Sequence, residues 1–189
     1  MNNIGTNLVG MGSLRGREDN DYYATPPEST LALLEKEIFE GTILEPCCGE
    51  GHISEVLKRS GHNVISNDLI NRGYGESFKD FLQEDFQKVD NIVTNPPFKF
   101  AKEFIEKSLE IAEKKVAMFC KIQLLEGVQR KQLFEKTPLK AVYVFSKRQN
   151  PLRNGNALDE NGKKWSSTMC FAWFVWEKGY QGEPAVRWI

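Results

Sequence analysis

The sequence predicts an α/β domain: a mostly parallel, seven-stranded sheet with an antiparallel hairpin at one edge and helices on both faces. Three observations predict it. Strand-like and helix-like apolar patterns alternate from residue 31 onward, which implies parallel strands joined by right-handed crossovers. The last two long strands have no helix between them, so they return antiparallel. Two short motifs, EPCCGEG at 45–51 and NPPF at 95–98, each sit just past a strand, where open α/β sheets bind ligands.

Taken in order, the Gly/Asn-rich residues 1–20 are expected to be a flexible arm and residues 21–189 a single domain. Leu31 to Phe39 reads as an amphipathic helix. TILEPCC is a short apolar run broken by glycine, hence a strand. His52 to Ser60 is a helix that Gly61 ends. HNVISND is a second strand, and residues 81–86 are expected to hold a short third. NIVTN is a strand that stops at Pro96 and Pro97, because neither offers an N–H and both fix φ. In KFAKEFIEKSLEIAEKK, Phe100, Phe104, Ile105, Leu109 and Ala112 share one helical face. KVAMFCKI, LKAVYVFS and MCFAWFVWEK are the fifth to seventh strands, with a helix over Leu125 to Glu135. PAVRWI offers a further edge strand. The polar, basic stretch 147–168 is long for a loop in a compact domain, and loops of that length are usually functional or disordered.

Composition narrows the function classes. With 189 residues, 40% of them hydrophobic, the chain can bury one sizeable core. It has no signal-like start and no apolar run near the roughly 20 residues needed to span a bilayer, so a cytoplasmic protein without a membrane partner is expected. Its four cysteines, at 47, 48, 120 and 170, form no C-x-x-C pair, and only His52 and His62 could assist them. That argues against a zinc site and fits a reducing compartment. Net charge is −1, but the charges are unevenly spread. Residues 1–120 carry 13 Lys/Arg against 20 Asp/Glu, whereas residues 121–168 carry 10 against 4. Such a distribution can give one basic face on a nearly neutral protein, although a solvated surface would also tolerate it.

The motifs carry more specific chemistry. In LEPCCGEGHIS a strand ends at Glu45, turns through Gly49 and Gly51, and opens a helix. The glycines let backbone approach a ligand, and the helix start presents free N–H groups. Glu45 and Glu50 put negative charge there, which suits an ammonium or sulfonium better than a pyrophosphate. Ser54 also replaces the third glycine of a dinucleotide fingerprint. Asp68, 17 residues after Gly51, can accept both hydroxyls of a ribose. Asp85 and Phe86 could meet an adenine amino group and ring. In NPPF, the Asn95 side-chain oxygen and the Pro96 carbonyl are two acceptors in one rigid frame, suited to an –NH₂ group, and Phe98 offers a face to a planar base. The plainer readings are a tight strand-to-helix turn, a capping aspartate and a proline-rich strand end.

EPCCGEG followed by NPPF resembles the class I S-adenosylmethionine-dependent amino-methyltransferases, especially the adenine-N6 type. Cofactor motif before NPPF is the order of the gamma group of DNA amino-methyltransferases. DYYATPP at 21–27 is similar to the Thr-Pro motif that precedes the first strand there. LLEGVQR, VYVFSKR and MCFAWFVWEK resemble small phage or prophage enzymes. The resemblance implies a Rossmann-like methyltransferase fold, S-adenosyl-L-methionine as cofactor and DNA as partner. Thr25 and Pro26 would line the methionine side, and Glu45 would face the ammonium. Pro46, Cys47, Gly49 and Gly51 would shape the loop, Asp68 would take the ribose, and Asp85 with Phe86 the adenine. Asn95, Pro96, Pro97 and Phe98 would hold the target amine of a flipped adenine. The resemblance departs from the larger gamma-group enzymes in one respect: no separate C-terminal target-recognition domain is expected. Recognition would fall to the N-terminal arm and to Lys147, Arg148, Arg153, Lys163 and Lys164. RNA base amines, a protein glutamine amide, or a non-catalytic cofactor- or DNA-binding module remain open alternatives, and the basic 121–168 segment favours nucleic acid.

Overall fold

In chain order the strands are β1 (Tyr23–Ala24), β2 (Thr42–Glu45), β3 (Asn63–Ser66), β4 (Val89–Thr94), β5 (Ala112–Lys121), β6 (Leu139–Val144), β7 (Leu152–Arg153), β8 (Phe171–Glu177) and β9 (Ala185–Trp188). The helices are α1 (Pro27–Leu34), α2 (His52–Arg59), α3 (Ala101–Ile111) and α4 (Val128–Lys136). These elements come from a computed structural model that describes residues 22–150, 152–153, 158, 161–162 and 169–189. The expected arm at 1–20 lies outside the described residues.

One seven-stranded sheet runs in the order β3-β2-β4-β5-β8-β6-β9, and β1 with β7 forms a separate two-stranded ladder. All neighbours in the large sheet are parallel except β8, which is antiparallel to both β5 and β6. The β6–β8 hairpin therefore lies toward one edge, with β8 slotted inward against β5 and β9 outermost. Residues 81–86, expected as a strand, are turns and loop. The Asp80 carboxylate accepts from the Leu82 N–H at 2.9 Å, and the Asp80 carbonyl accepts from Gln83 and Glu84. Those local bonds divert the backbone from a ladder. The seventh strand is instead supplied by Ala185–Trp188.

The alternation along β8 explains its interior position. Phe171, Trp173 and Val175 enter one core, and Ala172, Phe174 and Trp176 the other. Six of its seven residues are buried, as a strand covered on both faces requires. α1 and α2 cover the first core through Leu33, Ile53 and Leu57, against Ile43, Val93 and Phe119. α3 and α4 cover the second through Phe104, Ile105 and Leu133, against Ile92, Val116 and Met118. Both buried indoles find acceptors: Trp173 Nε1 donates to Ser29 O at 2.7 Å and Trp176 Nε1 to Thr137 Oγ1 at 3.0 Å.

Helix boundaries follow local chemistry. α1 starts at Pro27, four residues before the expected start, because proline suits a first helical position that needs no N–H. It stops at Leu34, short of Phe39, and the chain beyond turns Glu37 inward. Gly127, at φ 122°, forces α4 to begin at Val128. α2 ends where expected, with Gly61 left-handed at φ 89°. No helix among the described residues is long and apolar enough to cross a membrane.

Glu37 anchors a polar clasp at the end of the sheet opposite the strand carboxyl termini. Its carboxylate accepts from Lys115 Nζ at 2.6 Å, Lys140 Nζ at 3.2 Å and Tyr143 Oη at 2.7 Å. Lys140 also reaches Glu177 at 2.7 Å. Burial alone would raise the Glu37 pKa, but the Lys115 and Tyr143 bonds outweigh it and hold the carboxyl below its ordinary range. Because the folded pKa is depressed, this stabilisation is present above the unfolded value and is lost as pH falls through the folded one. Glu37→Gln is expected to lower unfolding free energy by roughly 1–3 kcal/mol at neutral pH. Urea titrations should show the gap closing only at acid pH, below the ordinary carboxylate range.

Candidate active site

A cavity of about 640 Å³ opens where β2, β3 and β4 end. From β2 the chain crosses over α2 to β3 on one side, while β4 lies on the other, so the cavity sits at a topological switch point. Each strand delivers a polar side chain there: Glu45 closes β2, Asp68 follows β3, and Asn95 follows β4.

Glu45 is 1% exposed and accepts a hydrogen bond from Ser54 Oγ, which lies 2.8 Å from Ser66 Oγ. The absent third glycine is thus a serine with a task, since it holds the buried carboxyl. Burial pushes the Glu45 pKa up to about 8, and the nearby Asp68 charge adds to the rise. A ligand cation at this carboxyl would remove that penalty.

The glycine loop is built around two tyrosines. Gly49 has φ 55°, and a Cβ there would stand 2.4 Å from the Tyr22 ring. Gly51 has φ 87°, and its Cβ would stand 2.5 Å from the Tyr74 ring. Neither position accepts a side chain. Asp68, 8% exposed, ties the loop to the end of β3. Its Oδ2 accepts from the Gly49 N–H at 2.8 Å, and its Oδ1 from the Ile70 N–H at 2.8 Å and Arg72 Nη1 at 3.1 Å. Arg72 in turn lies 4.4 Å over the Tyr22 ring. His52 opens α2 and lines the cavity, with a buried Nδ1 that has no partner among the described residues. Burial holds the His52 pKa below its ordinary value, so the ring is neutral at pH 7.

Asn95 is held from the N-terminal segment. Its Nδ2 donates to Tyr23 O at 2.8 Å and to Thr25 Oγ1 at 3.0 Å. A backbone carbonyl can only accept, so this pair of bonds fixes which end of the carboxamide is nitrogen. Oδ1 is left for another donor. After Pro97 the chain makes a 3₁₀ turn, Phe98–Phe100, which carries the two rings in different directions. Phe98 packs 5.9 Å from both Tyr23 and Phe171, with Lys121 Nζ 4.1 Å from its centroid. Phe100, 41% exposed, is the ring that lines the cavity, beside Lys99.

The cavity therefore brings together Thr25, Glu45, Pro46, Cys47, Asp68, Asn95 and Pro97 from the residues singled out in the sequence. Pro26, Gly49, Gly51 and Pro96 are buried in the segments that form its wall. Asp85 and Phe86 do not line it. Asp85 is exposed, and Phe86 meets Phe81 edge-on at 5.1 Å. The Asp80 turn puts Asp80, Phe81 and Leu82 on the cavity wall in their stead. Tyr22, His52 and Arg72 were missed by sequence reasoning. The only signal was their place: Tyr22 within DYYATPP, His52 directly after the loop, Arg72 four residues past Asp68.

The basic stretch begins beside this site. Lys147 and Arg148 are exposed, and Gln149 Oε1 accepts from Ser29 Oγ at 2.8 Å. Arg153 pairs through its backbone with Tyr23, and Leu152 with Ala24. Lys163 and Lys164 lie outside the described residues. Among the described residues, no cluster of three His, Cys, Asp or Glu side chains could hold a metal ion.

No family model and no curated protein matches the chain. Solved structures do. A Pyrococcus horikoshii protein assigned as an RNA methyltransferase aligns with a TM-score of 0.63 at 16% identity, over 84% of this chain and 88% of its own. The modification subunit assigned to a type I restriction enzyme of Vibrio vulnificus YJ016 aligns at 0.55 and 14% identity, over 89% of this chain but 47% of its own. Magnesium protoporphyrin IX methyltransferase of Synechocystis PCC 6803, solved with bound S-adenosylmethionine, aligns at 0.53 and 12% identity, over 81% of this chain and 78% of its own. At these identities the likeness is one of architecture, and the chain has the Rossmann-like fold of the S-adenosylmethionine-dependent methyltransferases.

Proposed function

We propose that the protein is an S-adenosylmethionine-dependent methyltransferase that modifies the exocyclic N6 amine of an adenine flipped out of DNA. The observation that carries this reading is the Asn95 carboxamide, oriented by two acceptors so that Oδ1 faces other donors at the cavity. A carboxamide presented that way suits an –NH₂ group. The buried Glu45 on the same cavity suits a ligand that brings its own cation.

When bound, S-adenosylmethionine supplies an electrophilic methyl group on a sulfonium. Glu45 would hold its ammonium, the Asp68 and Arg72 region its ribose, and Phe81 with Leu82 its adenine. Asp68 already serves the Gly49 and Ile70 amides, so a ribose hydroxyl there replaces the Arg72 bond. On the acceptor side, Asn95 Oδ1 and the Pro96 carbonyl each take one hydrogen of the target amine. That draws the nitrogen lone pair out of ring conjugation and stabilises the positive charge that grows on it. The surplus proton leaves to water, so no general base is required. The base would pack on Phe100, the exposed ring at the cavity rim, while Phe98, expected to hold it, packs behind the cavity against Tyr23 and Phe171.

DNA is favoured by the exposed Lys147 and Arg148 and by the basic excess over residues 121–168. Transfer of labelled methyl to duplex DNA, single-stranded DNA, RNA and mixed protein tests the choice. Label is expected in N6-methyladenine from DNA and absent with Asn95→Ala, whose cofactor affinity stays within a few-fold of wild type. Label in RNA or protein instead would move the substrate and keep the chemistry.

Glu45 yields a second expectation. Its folded pKa of about 8 lies above the ordinary 4.5, so the folded protein binds an extra proton between those values. Ligand-free stability therefore declines as pH rises toward 8, and Glu45→Gln should gain over wild type in melting temperature at pH 9 but not at pH 5. Cofactor binding should release a proton at pH 7, seen by calorimetry in buffers of different ionisation enthalpy. The variant should release none and bind at least tenfold more weakly.

A further inference from the structure

We infer that Thr25 is a positioning residue for the methyl acceptor: with the Tyr23 carbonyl it takes up the Asn95 amide hydrogens, so that Oδ1 alone is presented to the target amine. The inference rests on the reading of the site given above, and it moves Thr25 from the cofactor side, where family resemblance puts it, to the acceptor side.

The geometry carries it. Asn95 has two N–H groups to satisfy on one side and one oxygen to present on the other. Tyr23 O lies 2.8 Å from Nδ2 and Thr25 Oγ1 3.0 Å from it. Thr25 is 2% exposed, so its hydroxyl meets the Asn95 amide largely shielded from solvent. Rotating the carboxamide by half a turn would set its oxygen against the Tyr23 carbonyl and aim two donors at an amine that is itself a donor. The Tyr23 carbonyl makes that flipped pose unfavourable, and the Thr25 hydroxyl satisfies the second hydrogen of the productive one. Neither acceptor is local in sequence. Thr25 is 70 positions from Asn95, and Tyr23 is 72. Both come from the segment at β1, which is held in place by its ladder with β7 and, beyond it, by α1.

Thr25→Val keeps the shape and removes the acceptor, and Thr25→Ser restores it. The expected result is a fall in kcat of about tenfold for Thr25→Val, with cofactor KM changed less than about twofold and kcat recovered in Thr25→Ser. A rise in cofactor KM with kcat unchanged would return Thr25 to the cofactor side and overturn the inference. A second readout does not depend on turnover. The Asn95 carboxamide signal, identified in ¹⁵N spectra by its loss in Asn95→Ala, should exchange its hydrogens slowly in wild type and Thr25→Ser but rapidly in Thr25→Val. Equal exchange rates in all three proteins would overturn the inference even if methyl transfer to DNA is found. If wild type transfers no methyl to any substrate, the proposed reaction falls, while protection lost in Thr25→Val alone still supports the orienting role. Thermal melts within a few degrees of wild type confirm that both variants fold.

Discussion

Pro96 and Pro97 stand beyond the end of an interior strand, separated from it by Asn95 alone, and neither can donate to the neighbouring ladder. β4 is flanked by β2 and β5, so its chain can leave the sheet only at its end, and the prolines fix that end at Thr94. The next side chain, Asn95, is released from the sheet but not to solvent. It is caught by the segment at β1, which crosses the carboxyl edge of the sheet. The Phe98–Phe100 turn that follows sends one ring to the core and one to the rim. Much of the cavity wall around Asn95 thus descends from a restriction on backbone donors.

The remainder of the fold makes that edge rigid. β8 joins two sheets' worth of packing into one, because its alternating residues belong to cores on opposite faces and its ladders reach both β5 and β6. The Glu37 clasp closes the opposite end, where Lys115 and Lys140 are shared between Glu37 and Glu177. With core and clasp fixed, the carboxyl ends tolerate a buried, raised-pKa carboxyl at Glu45 and a His52 imidazole nitrogen without a partner among the described residues. Groups held at a cost in the ligand-free protein are a common mark of a binding site.

The alternation of strand and helix was legible because apolar periodicity is local, and the two motifs stood out because glycine and proline restrict backbone in ways that residue type alone reveals. Glu45, Asp68 and Asn95 could be read for the same reason: each is a polar residue at, or within two positions of, the carboxyl end of a strand. The failures were of another kind. Residues 81–86 look apolar enough for a strand, but the single Asp80 side chain recruits the following amides, and nothing in the local pattern signals that competition. Asp80, Phe81 and Leu82 consequently line the cavity, five positions before Asp85 and Phe86, to which an adenine contact was ascribed. The inward position of β8 was also hidden, because strand order is decided by which faces need covering, which no stretch of sequence records. Thr25 was noticed for its proline neighbour, yet its bond to Asn95 spans 70 positions and could be seen only in three dimensions.

The β1–β7 ladder has only two residue pairs, Tyr23 with Arg153 and Ala24 with Leu152. The same backbone that lies beside the basic stretch also supplies an acceptor to the Asn95 amide. Changes of length in the segment that leads into β7 are therefore felt at the cavity. Between Ser146, whose N–H is bonded to the Ile189 carbonyl, and Leu152, an inserted or deleted residue shifts the register against Tyr23 and disturbs the amide.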